Sequence, residues 1–270
     1  MIPAPFEYVA AESAPHALEL LATHGDDAKL LAGGHSLLPM MKLRLAVPSV
    51  LIDIGPVTEL AGISADGADL VIGATTRHAE VAASELIRAE APLLAYSAAQ
   101  VGDPQIRHRG TIGGSLAHAD PAADLPMALT ALGGSVELTG PGGTRSVTAD
   151  DFFVGYFETA LEPDELLNAV RVPRRPGASW GYQKFVRRAN DWAIVGAATV
   201  AGRIALANMG AVPVRARAAE EALAGGASPA EAAELAADGT EPGEDIHADR
   251  AFRQHLARVL TRRALEHRAD

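Results

Sequence analysis

The sequence predicts a mixed α+β protein in two parts. Strands and helices alternate early in the chain, a Pro-Arg-Arg-Pro-Gly break falls at residues 173–177, and beyond it come further strands, an Ala-rich helical stretch and a last amphipathic helix. At about 100–200 residues per domain, the 270 residues allow one or two domains.

Each element has a local reason. Ser13 places a hydroxyl at the start of a helix that runs to about His24, and Gly25 stops it. Residues 29–32 read as a short buried strand, 50–54 as a second and 69–74 as a third. Pro92 opens a helix that closes near Gly102. Asp120 with Pro121 reads as the cap and first position of another, ended by Gly133. Residues 135–138 and 165–170 are further strands. The break then divides the chain into residues 1–176 and 177–270. In the second part, 180–186 and 203–207 suggest strands, and the Ala-rich stretch 216–237 reads as two helices. Ser228-Pro229-Ala230-Glu231 combines a capping box with proline at the first helical position. After a loop at 238–249, the last helix carries Phe252, Leu256, Val259 and Leu260 on one face.

Composition excludes several function classes. Aromatics are only 4% of residues, so Ala, Leu and Val must fill the core of a chain that is 48% hydrophobic. A formal net charge of −11 opposes phosphate backbones, so no nucleic-acid partner is expected. No apolar run reaches the roughly 18 residues of a membrane span. The first residues, Met1 to Glu7, lack the basic region and apolar run of a signal peptide, which points to the cytoplasm. With no cysteine, disulfides, thiolate catalysis and cysteine-held iron–sulfur clusters are excluded from this chain. Nine histidines form no H-E-x-x-H pair, so no metal site is expected.

Two turns stand out: Ala32-Gly33-Gly34-His35-Ser36, directly after a strand, and Thr111-Ile112-Gly113-Gly114-Ser115. Each pairs adjacent glycines with small hydroxyl residues. Glycine lets a backbone approach a ligand and adopt positive φ, and successive amides in such a turn make a concave anion site. Two such turns suit a pyrophosphate. Neither G-x-G-x-x-G after a strand nor G-x-x-x-x-G-K-[ST] occurs, so a Rossmann or P-loop site is not indicated. Gly133-Gly134 and Gly225-Gly226 read as helix stops.

The segments 32–45 (AGGHSLLPMMKLRL) and 111–126 (TIGGSLAHADPAADLP) resemble the two FAD-binding segments of the medium subunit of carbon monoxide dehydrogenase-type molybdenum hydroxylases. Arg188-Ala189-Asn190-Asp191-Trp192-Ala193 is similar to a third stretch, and the resemblance covers essentially the whole chain. The FAD domain of xanthine dehydrogenase is a more distant relative by the same pattern.

The resemblance implies a vanillyl-alcohol-oxidase-type FAD-binding domain of two α/β subdomains, plus a smaller C-terminal domain with an antiparallel sheet and helices. It implies FAD as cofactor, with its pyrophosphate on Ala32, Gly33, Gly34, His35 and Ser36 and on Thr111, Ile112, Gly113, Gly114 and Ser115, and with Leu31 and Leu37 also among the cofactor-binding residues. Asp124 matches a position that bonds a sugar-type hydroxyl of FAD, Lys184 one near the flavin ring, and Leu167 an apolar contact to the adenine. Histidine stands at 35 where Gln is common, Ser at 115 where Asn is common, and Trp192 where the family often has Tyr beside the flavin. No catalytic residue is expected. The implied role is electron transfer, from an iron–sulfur small subunit served by a molybdenum-binding large subunit to an external acceptor, in a dimer of heterotrimers. Molybdenum cofactor and iron–sulfur clusters would sit on those partners, with residues 171, 174, 175, 184, 187 and 188 offering a basic docking surface. The alternatives are a self-standing FAD-dependent oxidase or dehydrogenase of the same fold, and a non-redox nucleotide-binding module.

Overall fold

The computed structural model describes residues 2–266. The first unit holds β1 (Glu7–Ala10), α1 (Ala14–His24), β2 (Ala28–Leu31), α2 (Leu37–Lys42) and β3 (Val50–Asp53). β3 lies between β1 and β2 and runs parallel to both. The Ser13 hydroxyl accepts from the His16 amide at 3.2 Å, and Gly25, at φ 52°, ends α1. Ala17 and Leu21 of α1 are buried in a small core with Ile52, Ile54 and Leu60. β2 is half-buried rather than buried, because Lys29 faces solvent and Leu30 and Leu31 are only partly covered.

The second unit opens with the hairpin β4 (Ile63–Asp66) and β5 (Asp69–Gly73). Six helices follow: α3 (His78–Ala83), α4 (Glu85–Glu90), α5 (Pro92–Ala99), α6 (Pro104–Arg109), α7 (Ile112–His118) and α8 (Asp124–Leu132). Then come β6 (Ser135–Gly140), β7 (Gly143–Thr148), α9 (Ala149–Phe152), β8 (Phe153–Gly155), β9 (Glu158–Thr159) and β10 (Leu166–Pro173). The sheet order is β4-β5-β10-β6-β7, antiparallel throughout. Leu70, Ile72, Val136, Leu138, Val170 and Val172 share a core with Leu94, Leu116 and Leu129 of the helices. β10 runs three residues beyond the expected strand, since β5 and β6 pair with it on both sides.

Asp120 and Pro121 do not start α8. The Asp120 carboxylate accepts from the Ala122 amide at 2.8 Å and closes a turn, and the helix begins at Asp124. All nine residues of α8 are buried. Its sequence, Asp-Leu-Pro-Met-Ala-Leu-Thr-Ala-Leu, has almost no polar face, as a central helix requires. Gly133, in the left-handed region at φ 69°, ends it.

The third unit is the antiparallel sheet β11 (Trp180–Phe185), β12 (Val195–Val200), β13 (Arg203–Ala207) and β14 (Val214–Arg215), with α10 (Arg217–Ala224), α11 (Pro229–Glu234) and α12 (Arg250–Glu266). Ala198, Val200, Ala205 and Ala207 join the core that contains α8. Val195, Ala197, Ile204 and Leu206 pack with Leu256 and Leu260 of α12. The sheet is therefore sandwiched between α8 and α12, and the apolar core is continuous across residues 173–177. Phe252 departs from the expected apolar face of α12: it is 41% exposed and meets the Phe185 ring edge-on at 6.1 Å. Gly181 is pressed against the carbonyl of Ala264, leaving no room for a β-carbon. Among the described residues no helix is long and apolar enough to cross a membrane.

Candidate functional site

The first glycine turn joins β2 to α2. Gly34 sits at φ +76°, in the left-handed region that favours glycine. Among the described residues, the amides of Gly33, Gly34, His35 and Ser36 donate to no backbone or side-chain acceptor. Four successive free amides in one turn make a concave donor set suited to an anion. Leu31, Ala32, Ser36 and Leu37 are half-buried around it, and His35 is exposed.

The second turn is built differently. Thr111 caps α7, its hydroxyl accepting from the Gly114 amide at 3.1 Å. The Ile112 amide donates to Thr76 O (3.0 Å), Gly113 to Ala74 O (2.8 Å) and Ser115 to Thr111 O (3.0 Å). The amide cradle expected of both turns is thus present in the first only. What the second supplies is close approach, since a β-carbon on Gly113 would lie 2.5 Å from that of Ala74.

The two turns meet. A β-carbon on Gly33 would lie 2.5 Å from the Arg109 carbonyl oxygen and 2.8 Å from the Gly110 Cα. The Arg77 guanidinium donates to the same Arg109 carbonyl, and the His78 amide donates to Gly110 O at 3.0 Å. Residues 74–78 therefore brace the second turn, which the sequence reading missed. The available signal was a polar run, Thr75-Thr76-Arg77-His78, directly after a buried strand. Thr75 Oγ1 and His78 Nδ1 are buried without a hydrogen-bond partner among the described residues. His78 is 4% exposed. Burial pushes its pKa down to about 4, helped by the nearby charges of His35, Arg77 and Arg107.

Asp124 and Lys184 form a second group. The Lys184 ammonium lies 3.0 Å from each oxygen of the Asp124 carboxylate and 3.5 Å from the Gln100 carbonyl. The Tyr182 hydroxyl donates to the same carboxylate. All three side chains are at least nine-tenths covered. Burial raises the Asp124 pKa, while Lys184 and Tyr182 pull it back. Tyr182 was not singled out by sequence; it is two residues from Lys184 on a strand, so the two share a face.

Leu167 belongs to neither group: it is 5% exposed, opposite Leu138 in the sheet and part of the main core. Trp192 is 57% exposed in the loop between β11 and β12. The expected basic surface does not form as one patch. Arg171 is paired with Glu137 and Asp66, Arg174 with Glu90, Arg175 is half-buried with its Nε covered, and Lys184 is buried; Arg187 and Arg188 are exposed in the loop. No group of three or more His, Asp or Glu among the described residues could hold a metal ion.

These residues fit a dinucleotide with a diphosphate. Four successive amides of the first turn have no acceptor within the described residues and are available to phosphate oxygens, and glycine at 33 and 113 lets the backbone of the two turns close against Arg109, Gly110 and Ala74. Comparison with known proteins agrees. Residues 4–175 match the family described as "FAD binding domain in molybdopterin dehydrogenase", and residues 180–267 match "CO dehydrogenase flavoprotein C-terminal domain". The carbon monoxide dehydrogenase medium chain of Hydrogenophaga pseudoflava is 43% identical over 279 residues, covering 98% of this chain and 97% of the relative. The 6-hydroxypseudooxynicotine dehydrogenase complex subunit alpha of Paenarthrobacter nicotinovorans is 39% identical, covering 98% and 95%. A solved structure of the Hydrogenophaga pseudoflava carbon monoxide dehydrogenase, lacking the Mo-pyranopterin moiety of its molybdenum cofactor, superposes with a TM-score of 0.95 at 46% identity, covering 98% of both chains. With its α+β architecture, paired turns and full-length similarity, this chain belongs to the family of FAD-binding medium subunits of molybdenum-containing dehydrogenases.

Proposed function

We propose that this chain is the electron-transfer subunit of a molybdenum hydroxylase, taking electrons from an iron–sulfur small subunit and passing them to an external acceptor. The observation that carries this reading is the run of free amides at Gly33–Ser36 locked against the Arg109–Gly110 backbone. FAD supplies the one- and two-electron chemistry. The chain's own residues bind and tune it: the Gly33–Ser36 amides hold the diphosphate, residues 111–115 seat it closely, and Lys184 places a cation near the flavin ring, where it favours a reduced, negatively charged ring. Asp124 orients that cation and meets a sugar hydroxyl, and Leu167 lends apolar surface near the adenine.

The reading includes its partners. A cysteine-free chain leaves cysteine-held iron–sulfur clusters to another subunit, and a molybdenum-binding large subunit holds the substrate, in a cytoplasmic dimer of heterotrimers. Relatives of similar length serve enzymes for carbon monoxide and for 6-hydroxypseudooxynicotine, so substrate choice falls to the large subunit. Residues 1–176 form the FAD-binding domain and 177–270 the C-terminal domain, a division supported by the two family matches.

Purified protein should carry a flavin spectrum and release intact FAD on denaturation; release of FMN alone, or no flavin after reconstitution, rejects the cofactor assignment. Mixed anaerobically with candidate substrates, the FAD-loaded chain should keep its flavin band until molybdenum and iron–sulfur subunits are added. Catalytic bleaching by the chain alone would show a self-standing oxidase instead.

A further inference from the structure

Of the groups buried beside the proposed flavin lysine, one has no role in the reading above. Tyr182 lies in the middle of β11, and its ring is held by the ring of Tyr96, 5.4 Å away and tilted by 59°, with Trp180 of the same strand also 5.4 Å from the Tyr96 ring. Its hydroxyl is directed at the Asp124 carboxylate. That carboxylate is 4% exposed at the first position of α8. A buried carboxylate remains ionised only if its lone pairs are occupied. Lys184 reaches both of its oxygens at 3.0 Å, and the phenol fills a further site.

We propose that Tyr182 is a positioning residue: its hydroxyl keeps the Asp124 carboxylate charged and in place against Lys184, and so fixes the net charge that the flavin meets. This rests on the FAD reading. The other groups nearby do not replace it. Tyr96 on α5 acts on Tyr182 rather than on Asp124. His118 on α7 interacts with Asp120. Arg203 binds the Thr130 and Ala131 carbonyls at the far end of α8. Lys184, Tyr182 and a backbone amide at the start of α8 favour the Asp124 charge, Lys184 and Tyr182 being the side chains among them, and burial opposes all three. Tyr182 itself remains a donor, because burial, and then the Asp124 charge, hold its pKa well above the ordinary phenol value. Without the hydroxyl, Asp124 takes up a proton at higher pH, and the Lys184 cation is then left uncompensated.

The test compares wild type, Tyr182→Phe and Asp124→Asn. In the FAD-loaded proteins, the flavin reduction potential is measured against pH. Asp124→Asn, which removes the negative charge, should lie above wild type wherever wild-type Asp124 is ionised. Tyr182→Phe should match wild type at high pH and rise toward Asp124→Asn as pH falls, departing at a higher pH than wild type does. In the apoproteins, carbon-13 NMR should show the Asp124 carboxyl titrating at higher pH in Tyr182→Phe. Coincident potentials with FAD bound, or an unmoved Asp124 titration, overturn the proposal. Absence of FAD from the wild type would instead reject the reading it rests on, and the NMR titration still decides the role of Tyr182.

Discussion

Gly33 lies against the carbonyl of Arg109 with no space for a side chain: a β-carbon there would be 2.5 Å from the oxygen. The obstacle is backbone, which cannot swing aside. Gly33→Val should therefore cost about 1–3 kcal/mol through forced backbone shifts and abolish FAD retention. Thermal melting of the apoprotein and the flavin-to-protein absorbance ratio after gel filtration read the two effects. A folded variant that holds FAD tightly would remove the turn from the site.

Gly114 offers a contrast. Its β-carbon would meet only the Thr111 hydroxyl, at 2.7 Å, a side-chain atom that can rotate away. Gly114→Val should therefore be milder than Gly33→Val, losing mainly the α7 cap. Thr111→Val removes the same cap and should cost about 1 kcal/mol. Urea unfolding of the two apoproteins should give similar losses.

Lys184→Met should lower the flavin reduction potential, because a cation near the reduced ring is removed. It should also lower stability. Lys184 is the counter-ion of a buried carboxylate, and stripping one partner from a buried pair costs about 3–5 kcal/mol. Asp124→Asn combined with Lys184→Met should recover part of that stability and, because the net charge beside the flavin is again that of the ion pair, bring the potential back toward wild type. A single variant as stable as wild type would show that the pair is solvated in solution.

His78 predicts an acid-sensitive component. Its folded pKa is depressed to about 4 from the ordinary 6.5. Above pH 6.5 it is neutral in both states and contributes nothing. As pH falls from there toward about 4, the unfolded chain binds a proton that the folded chain refuses. Stability then falls by up to about 1.4 kcal/mol per pH unit, roughly 3 kcal/mol in all. His78→Gln should remove this component. Denaturant unfolding of both apoproteins at neutral and acid pH measures it, and an unchanged difference between them would refute a buried neutral imidazole.

Elements with a strong local signature were readable from sequence, and those defined by tertiary packing were not. Ser13 and Gly25 bracket α1, and Ser228 with Glu231 forms the capping box that opens α11, because caps are local chemistry. β12, Val-Gly-Ala-Ala-Thr-Val, escaped notice because it is buried on both faces and lacks alternation. The Asp120-Pro121 cap misled because an Asx-type turn and a helix cap share the same residues. In the site, the glycine turns were visible as composition, but which turn keeps its amides free depends on Ala74, Thr76 and Thr111, which only the fold brings together. Tyr182 carried no signal, since a tyrosine in a strand is ordinary until a buried carboxylate faces it.

The seam between Gly181 and Ala264 bears on how the protein is made. β11, which carries Lys184, closes its outer face only when α12 arrives, and α12 is translated some 65 residues after it. Ribosomes add about 5–20 residues per second, so the strand waits several seconds for its cover after it has emerged. During that interval the apolar face of the sheet it joins, Val195, Ala197, Ile204 and Leu206, is open to chaperones, to proteases and to neighbouring nascent chains. The glycine turns at 33–36 and 111–115 are synthesised long before, so the pocket for the diphosphate can be assembled while the wall bearing the lysine is still unfinished. A premature stop that deletes α12 should therefore yield a chain that is degraded or aggregated, with its nucleotide-binding turns intact in sequence and never enclosed.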